Sequence, residues 1–80
     1  MKTMNRFPAG AMPRAAMADA IEKARQFGAL IRHPTVHQCW TVSKESPWRT
    51  HARVVFALIA TGAVKVTDTE NYRPTKVEPS

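Results

Sequence analysis

The sequence of 80 residues has little cysteine, little glycine and no long apolar run, and each shortage excludes a class of protein. Its single cysteine, Cys39, rules out an internal disulfide, which favours a reducing cytoplasm and leaves a small core without a covalent link. Its three scattered glycines form no phosphate-binding loop. The longest apolar run, from Val54 to Ala60, is far shorter than the roughly 18 residues that a membrane span requires. The basic start of the chain lacks an apolar segment, so a secretory signal is not expected.

Acidic residues are also scarce, with six Asp and Glu against twelve Lys and Arg, a formal net charge of +6 and a pI near 10.3. Residues 1–53 carry nine of the basic and three of the acidic residues, whereas residues 54–80 carry three of each. This excess is typical of a small domain that binds nucleic acid or, next in order, an acidic protein surface. No segment combines a basic face with a strongly apolar one, so a membrane partner is not expected. The chain is long enough for one small core and shows no catalytic constellation, so we predict a binding module and not an enzyme.

The first half of the chain predicts a flexible arm, a helix and two extended segments. Residues 1–12 are basic, contain proline and glycine and lack periodicity, which indicates the arm. Residues 13–27 are good helix formers with apolar positions at helical spacing, and Gly28 is expected to cap their C-terminus. Residues 30–31 predict a short extended segment, and residues 36–42 alternate as a strand does.

The second helix is predicted over residues 47–61, with Ser46 as its N-cap. On a helical wheel, one face carries the side chains that we expect in the core: Trp48, Val54, Val55, Leu58 and Ile59. Arg49, Arg53 and Phe56 form a stripe on nearly the opposite face. A basic stripe with an aromatic residue is a candidate for contacting phosphates or an acidic partner. The alternative is that both arginines are merely solvated and Phe56 packs on the first helix or the arm.

A β-hairpin is predicted to follow the second helix. Residues 63–67 alternate as a strand, and residues 72–77 return as its partner, which Pro74 should confine to a sheet edge. Residues 78–80 are expected to fray. Together these elements predict one α+β domain over residues 13–77, in the order helix, strand, helix and hairpin.

Further basic residues and two tryptophans complete the set of candidates. Four basic residues are expected to assist the stripe on the second helix: Lys44, Arg32, Lys2 and Arg6. Trp40 and Trp48 could stack on bases, as aromatics do in single-strand binders. A domain this small needs their buried area, however, so we expect both in the core.

His33, His37 and Cys39 lie close together in the sequence. The pair His33 and His37 forms half of a zinc-binding pattern, which Cys39 and His51 could complete. Ordinary polar or partly buried side chains are the favoured interpretation. His51 falls on the core side of the helical wheel, so a buried, hydrogen-bonded histidine is expected there. We therefore predict neither a metal nor a cofactor.

Positions 24–67 resemble a pattern of small phage and prophage proteins that look like winged helices: L-x-R-H-P, then W, then A-L-x-x-x-G. The residues that carry the resemblance are Leu30, Arg32, His33, Pro34, Trp40, Val55, Ala57, Leu58 and Gly62. It implies a truncated winged helix-turn-helix, in which the last helix enters the major groove of DNA and the hairpin rests on the backbone. The chain has Thr35-Val36 where those proteins have Gly-Gly, and Val54 where they have Thr, so no site residue is carried over.

A phage or mobile-element origin leaves two functions open. The leading hypothesis is a non-catalytic, regulator-like protein of the bacterial cytoplasm whose basic surface engages nucleic acid. The alternative is an anti-CRISPR-type inhibitor that binds a host CRISPR–Cas nucleoprotein complex and blocks recognition of target DNA. A third possibility is a homodimer held by the run from Val54 to Ala60, because one helix face cannot bury seven apolar residues.

Overall fold

The computed structural model describes residues 14–80, in which a helix, three short strands, a second helix and a long hairpin follow one another. These elements are α1 (Arg14–Phe27), β1 (Leu30–Arg32), β2 (Cys39–Thr41), β3 (Thr50–His51), α2 (Ala52–Thr61), β4 (Val64–Glu70) and β5 (Arg73–Pro79). All strand pairs are antiparallel, in the order β3-β2-β1-β5-β4. The predicted α+β class is confirmed, and the predicted arm lies outside the described residues.

The core lies between the two helices and the sheet. Its members are Ala20, Ala24, Leu30, Trp40, Val54, Val55, Leu58, Val64 and Val77. The predicted core face of α2 is confirmed for its valines and leucine, and Trp40 is buried as expected, whereas Trp48 only packs partly buried against the cluster. Each fully buried aliphatic side chain stabilises the fold by about 1.5–3 kcal/mol. No helix within residues 14–80 is long and apolar enough to cross a membrane.

The helix α1 ends at Phe27 because Gly28 adopts a left-handed conformation with φ of 92° and donates its N–H to Ala24 O at 2.8 Å. This is the predicted cap. The Phe27 ring, at the end of the helix, is 56% exposed.

The strand predicted over residues 36–42 is shorter than expected, because a turn occupies its first half. The imidazole Nδ1 of His33 accepts the N–H groups of Thr35 at 3.2 Å and Val36 at 3.0 Å. Gln38 then adopts a φ of 59°, and only Cys39–Thr41 pairs as β2. A histidine acceptor thus folds the segment that alternation predicted to be extended.

The second helix begins five residues later than the predicted Pro47. Thr50–His51 pairs with β2 as the edge strand β3, so this stretch is not helical. Ser46 does not cap the helix; its Oγ accepts the N–H of Trp48 at 3.1 Å in a local turn. The buried hydroxyl of Thr41 lies 2.7 Å from Trp48 O and so fixes this loop to β2.

The β4–β5 hairpin is longer than predicted, and the tail is ordered into it. Glu78 and Pro79 belong to β5, opposite Lys65 and Val64, so the expected frayed tail is wrong. The antiparallel register of the hairpin continues to Val64 opposite Pro79, so the end of β5 pairs with the start of β4. Ser80 N also donates to the carbonyl oxygen of Ala63 at 3.1 Å.

The strand β5 lies inside the sheet, between β1 and β4, and not at the edge that Pro74 predicted. The pairing of β1 with β5 involves Leu30 opposite Val77 and Ile31 opposite Lys76. Pro74 therefore lies beyond the end of β1, where its missing N–H removes no bond from that ladder. A proline can thus sit in an interior strand when its neighbour is short.

Candidate nucleic-acid interface

An open groove of about 630 Å³ lies between the turn that follows β1, the start of α2 and the start of β5. Its lining comprises Arg32, His33, Pro34, Thr35, Val36, His37, Gln38, Trp40, Ala52, Phe56, Arg73 and Pro74. We call it the α2–β5 groove. It contains two arginines, two histidines and an exposed phenyl ring, and no Asp or Glu lines it. These side chains suit a ligand that carries negative charge and flat apolar surface.

The pairing of the sheet brings the two arginines of the groove together. Arg32 ends β1, and Arg73 begins β5 opposite Glu70, the residue that closes the hairpin turn. Arg32 Nη2 donates to Glu70 Oε1 at 3.1 Å. Both side chains are more than a third exposed, so this pair adds about 0–1 kcal/mol to stability and acts mainly by positioning Arg32. Arg73 forms no ion pair within residues 14–80, so its charge is not neutralised there.

The exposed face of α2 carries the second part of the candidate surface. Phe56 is 50% exposed and lines the groove, while Arg53 lies one turn earlier on the same face, outside the lining. Their spacing of three residues makes them neighbours on the helix surface. Ala52, in the first turn of α2, also lines the groove, so the N-terminal end of this helix lies beside it.

The structure separates the other predicted site residues from the groove. Arg49 precedes β3 and is not helical, so the predicted stripe is reduced to Arg53 and Phe56. Lys44 is exposed in the loop between β2 and β3 and does not line the groove. Lys2 and Arg6 lie outside the described residues. Of the predicted residues that the structure describes, only Arg32 and Phe56 meet in one concave site.

The histidines act through their hydrogen bonds. Because Nδ1 of His33 accepts two N–H groups, Nε2 is the ring nitrogen that is left to carry a proton and act as a donor. His51 is exposed and not buried as predicted: α2 starts after it, and its Nδ1 caps the helix by accepting Arg53 N–H at 3.0 Å. Cys39 lies opposite His51 in the β2–β3 register. No group of three potential metal ligands occurs among residues 14–80.

Sequence reasoning missed Arg73 as a site residue. Its neighbours in the groove depend on the pairing of β5 with β1, which no local pattern reveals. The position of the turn was predictable from the sequence, because Asn is favoured at the first central position of a tight hairpin turn. This preference places the turn at Asn71 and Tyr72, as the structure has it.

No protein-family model matches the chain, and comparisons with curated proteins and with solved structures found no match. The function is therefore inferred from the charge and geometry of the groove and of α2.

Proposed function

We propose that this protein is a non-catalytic binding module that engages nucleic acid through the α2–β5 groove. The observation that carries the proposal is the groove lining, which joins Arg32 and Arg73 to the half-exposed ring of Phe56. No Asp or Glu lines the groove, and Glu70, which pairs with Arg32, lies outside the lining. Guanidinium groups bind phosphates with two parallel hydrogen bonds. A phenyl ring offers a base a stacking surface that is independent of sequence.

Charge outside the groove supports the same partner. The net charge is +6, and the excess lies in residues 1–53. A positive potential over this region would draw a polyanion toward the groove. Arg53 extends the contact along α2. The remaining predicted basic residues would contribute attraction at a distance: Arg49, Lys44, Lys2 and Arg6.

We further propose that the domain is a reduced winged helix from a phage or mobile element, acting in the bacterial cytoplasm. The sequence pattern and the packing of the hairpin strand β5 against β1 support this assignment. Short strands occupy the place of the helix that precedes the recognition helix in a helix-turn-helix. The exposed residues of α2 are Arg53, Phe56, Ala60 and Thr61, which offer few groups for reading base edges. Backbone contact and stacking are thus favoured over sequence readout.

A protein-directed inhibitor of the anti-CRISPR type is the second candidate. The half-exposed ring of Phe56 and the fully exposed ring of Tyr72 favour it, because aromatic residues often dominate the energy of protein interfaces. A homodimer through α2 has less support, because Val54, Val55 and Leu58 are buried in the chain's own core.

The test is the affinity of the full chain for short fluorescent oligonucleotides, measured by anisotropy at low salt. We expect Phe56→Ala and Arg73→Ala each to weaken binding by about fivefold or more, since a stacked base or a phosphate contact is worth about 1–3 kcal/mol. Phe27→Ala and Arg25→Ala are matched controls on the exposed surface of α1 and should change affinity less than about twofold. Equal losses in the controls, or no binding by the wild type, would contradict the proposal.

The second candidate is distinguished by capture from host lysate with and without nuclease. Loss of all bound material after nuclease supports a nucleic-acid partner. A defined protein complex that survives nuclease and is lost with Phe56→Ala, while the wild type binds no oligonucleotide, supports the inhibitor.

A further inference from the structure

The tip of the β4–β5 hairpin holds an aromatic residue where the backbone favours glycine. Asn71 and Tyr72 have φ angles of 52° and 66°, and the pair closes a two-residue turn between Glu70 and Arg73. Two positive φ angles define a type I′ turn, in which Asn-Gly is the preferred pair. The Cβ atom of any residue other than glycine makes the left-handed conformation unfavourable at the second position, because it crowds the backbone carbonyl. Tyr72 thus strains the turn that Gly would relax.

Nothing within the described residues compensates for this strain. The Tyr72 side chain is 100% exposed, and no hydrogen bond to it is present within residues 14–80. Residues with a strained backbone cluster where a protein binds a ligand. The ring is therefore placed for a contact outside the folded chain.

The hairpin tip adjoins the α2–β5 groove. Arg73 and Pro74, which directly follow Tyr72, line the groove, and Glu70 on the other side of the turn is hydrogen-bonded to Arg32. The second exposed aromatic of this region, Phe56, also lines the groove and belongs to α2. Cationic side chains at the groove are thus accompanied by aromatic rings on both elements that border it.

We propose that Tyr72 stacks on an unpaired base, and that the hairpin tip and groove together bind single-stranded nucleic acid in preference to duplex. This inference rests on the proposed nucleic-acid function and specifies its substrate class. Stacking requires a free base face, which a duplex hides except at its ends. Among the exposed side chains of α2, only Arg53 and Thr61 carry hydrogen-bond donors, so the helix is poorly equipped to read duplex base edges. The exposed side chains therefore favour aromatic rings stacked on bases and arginines bound to phosphates.

The decisive variant is Tyr72→Gly, because glycine removes the ring and relaxes the turn at the same time. Its melting temperature should equal or exceed that of the wild type, so a loss of binding is not a loss of fold. Tyr72→Phe keeps the ring and serves as the matched control. Affinities of the full chain are measured by anisotropy for a labelled single strand and for the duplex of the same sequence.

We expect the wild type and Tyr72→Phe to bind the single strand more tightly than the duplex. Tyr72→Gly should lose about fivefold or more of its affinity for the single strand, with the duplex affinity changed less than about twofold. Unchanged binding of the single strand by Tyr72→Gly, equal losses on both ligands, or a preference of the wild type for duplex would each overturn the inference.

The two proposals fail in different ways. If the wild type binds neither oligonucleotide, the nucleic-acid function itself fails. If Arg73→Ala weakens binding and Tyr72→Gly does not, the function stands and the role of Tyr72 is wrong. If Tyr72→Gly leaves oligonucleotide binding intact but abolishes capture of a nuclease-resistant protein complex, the ring serves a protein partner, which also overturns the inference.

Discussion

The side chain of Trp48 is held in place by a hydrogen bond to α1. Its indole Nε1–H donates to Asp19 Oδ2 at 2.8 Å, and Lys23 Nζ donates to the other carboxylate oxygen at 3.2 Å. Lys23 Nζ also lies 5.7 Å from the centre of the Trp48 ring. The bond from Trp48, followed by that from Lys23, lowers the pKa of Asp19 below the ordinary value of an aspartate. This cluster holds the loop before β3 against α1.

The lowered pKa predicts how stability depends on pH. Since the folded-state pKa of Asp19 is below the unfolded one, its contribution is present above the unfolded value and is lost as pH falls through the folded value. Asp19→Asn should lower the free energy of unfolding near neutral pH by less than about 1 kcal/mol, because solvent screens an exposed pair. The difference between variant and wild type should shrink as pH falls through the folded-state pKa of Asp19, which lies below the ordinary range of an aspartate.

Urea unfolding at neutral and at acid pH, followed by tryptophan fluorescence, measures this difference in the free energy of unfolding. Glu22→Gln is the matched control, because Glu22 is exposed on α1 and has no ion pair within residues 14–80. A penalty for Asp19→Asn that is equal at neutral and acid pH would show that the carboxylate charge does not act in this cluster.

Local signals determined some elements, and non-local pairing determined the others. The helix α1 and its cap at Gly28 were predictable, because helix formers are contiguous there and glycine follows them. The hairpin was predictable from alternation. The strands β2 and β3 were not, since segments of two or three residues become strands only through their partners. The sheet order, with β5 beside β1, depends on contacts between residues far apart in the chain.

The residues of the candidate site were likewise predictable only where the local sequence determines their position. Phe56 was predictable because its position nearly opposite Val54 and Leu58 follows from helical periodicity alone. Arg49 was misplaced because the helix begins later than Pro47, at a histidine cap that no common N-cap preference indicates. Arg73 was missed because only the β1–β5 pairing brings it to the groove.

Among the secondary-structure elements, α2 offers a testable feature in its N-terminal cap. His51→Ala removes the acceptor for Arg53 N–H and should lower the free energy of unfolding by about 1 kcal/mol, whereas His51→Asn should restore most of it. Because Ala52 lines the groove, a loosened first turn should also weaken binding of the single strand.

Chemical unfolding of His51→Ala, His51→Asn and the control His37→Ala measures the cap. His37 is exposed in the turn before β2 and accepts no hydrogen bond within residues 14–80. Equal stability of His51→Ala and His37→Ala would mean that the cap adds nothing to the helix.

The whole molecule combines a net charge of +6 with one groove in which arginine and aromatic side chains meet. The charge provides attraction over the Debye length, about 8–10 Å at physiological salt, and the groove provides the contact. Binding driven by arginines on phosphates must release counterions from the nucleic acid. The dependence of affinity on salt is therefore the property that follows most directly from the proposed function.

The most direct measurement is the affinity of the full chain for a single-stranded oligonucleotide across a series of salt concentrations. If Arg32, Arg53 and Arg73 each neutralise one phosphate, the slope of log K against log salt should be about −2, at roughly −0.7 per phosphate. Arg73→Ala should make that slope shallower by about 0.7, and Arg25→Ala should leave it unchanged. A flat dependence between low and physiological salt would contradict the central claim.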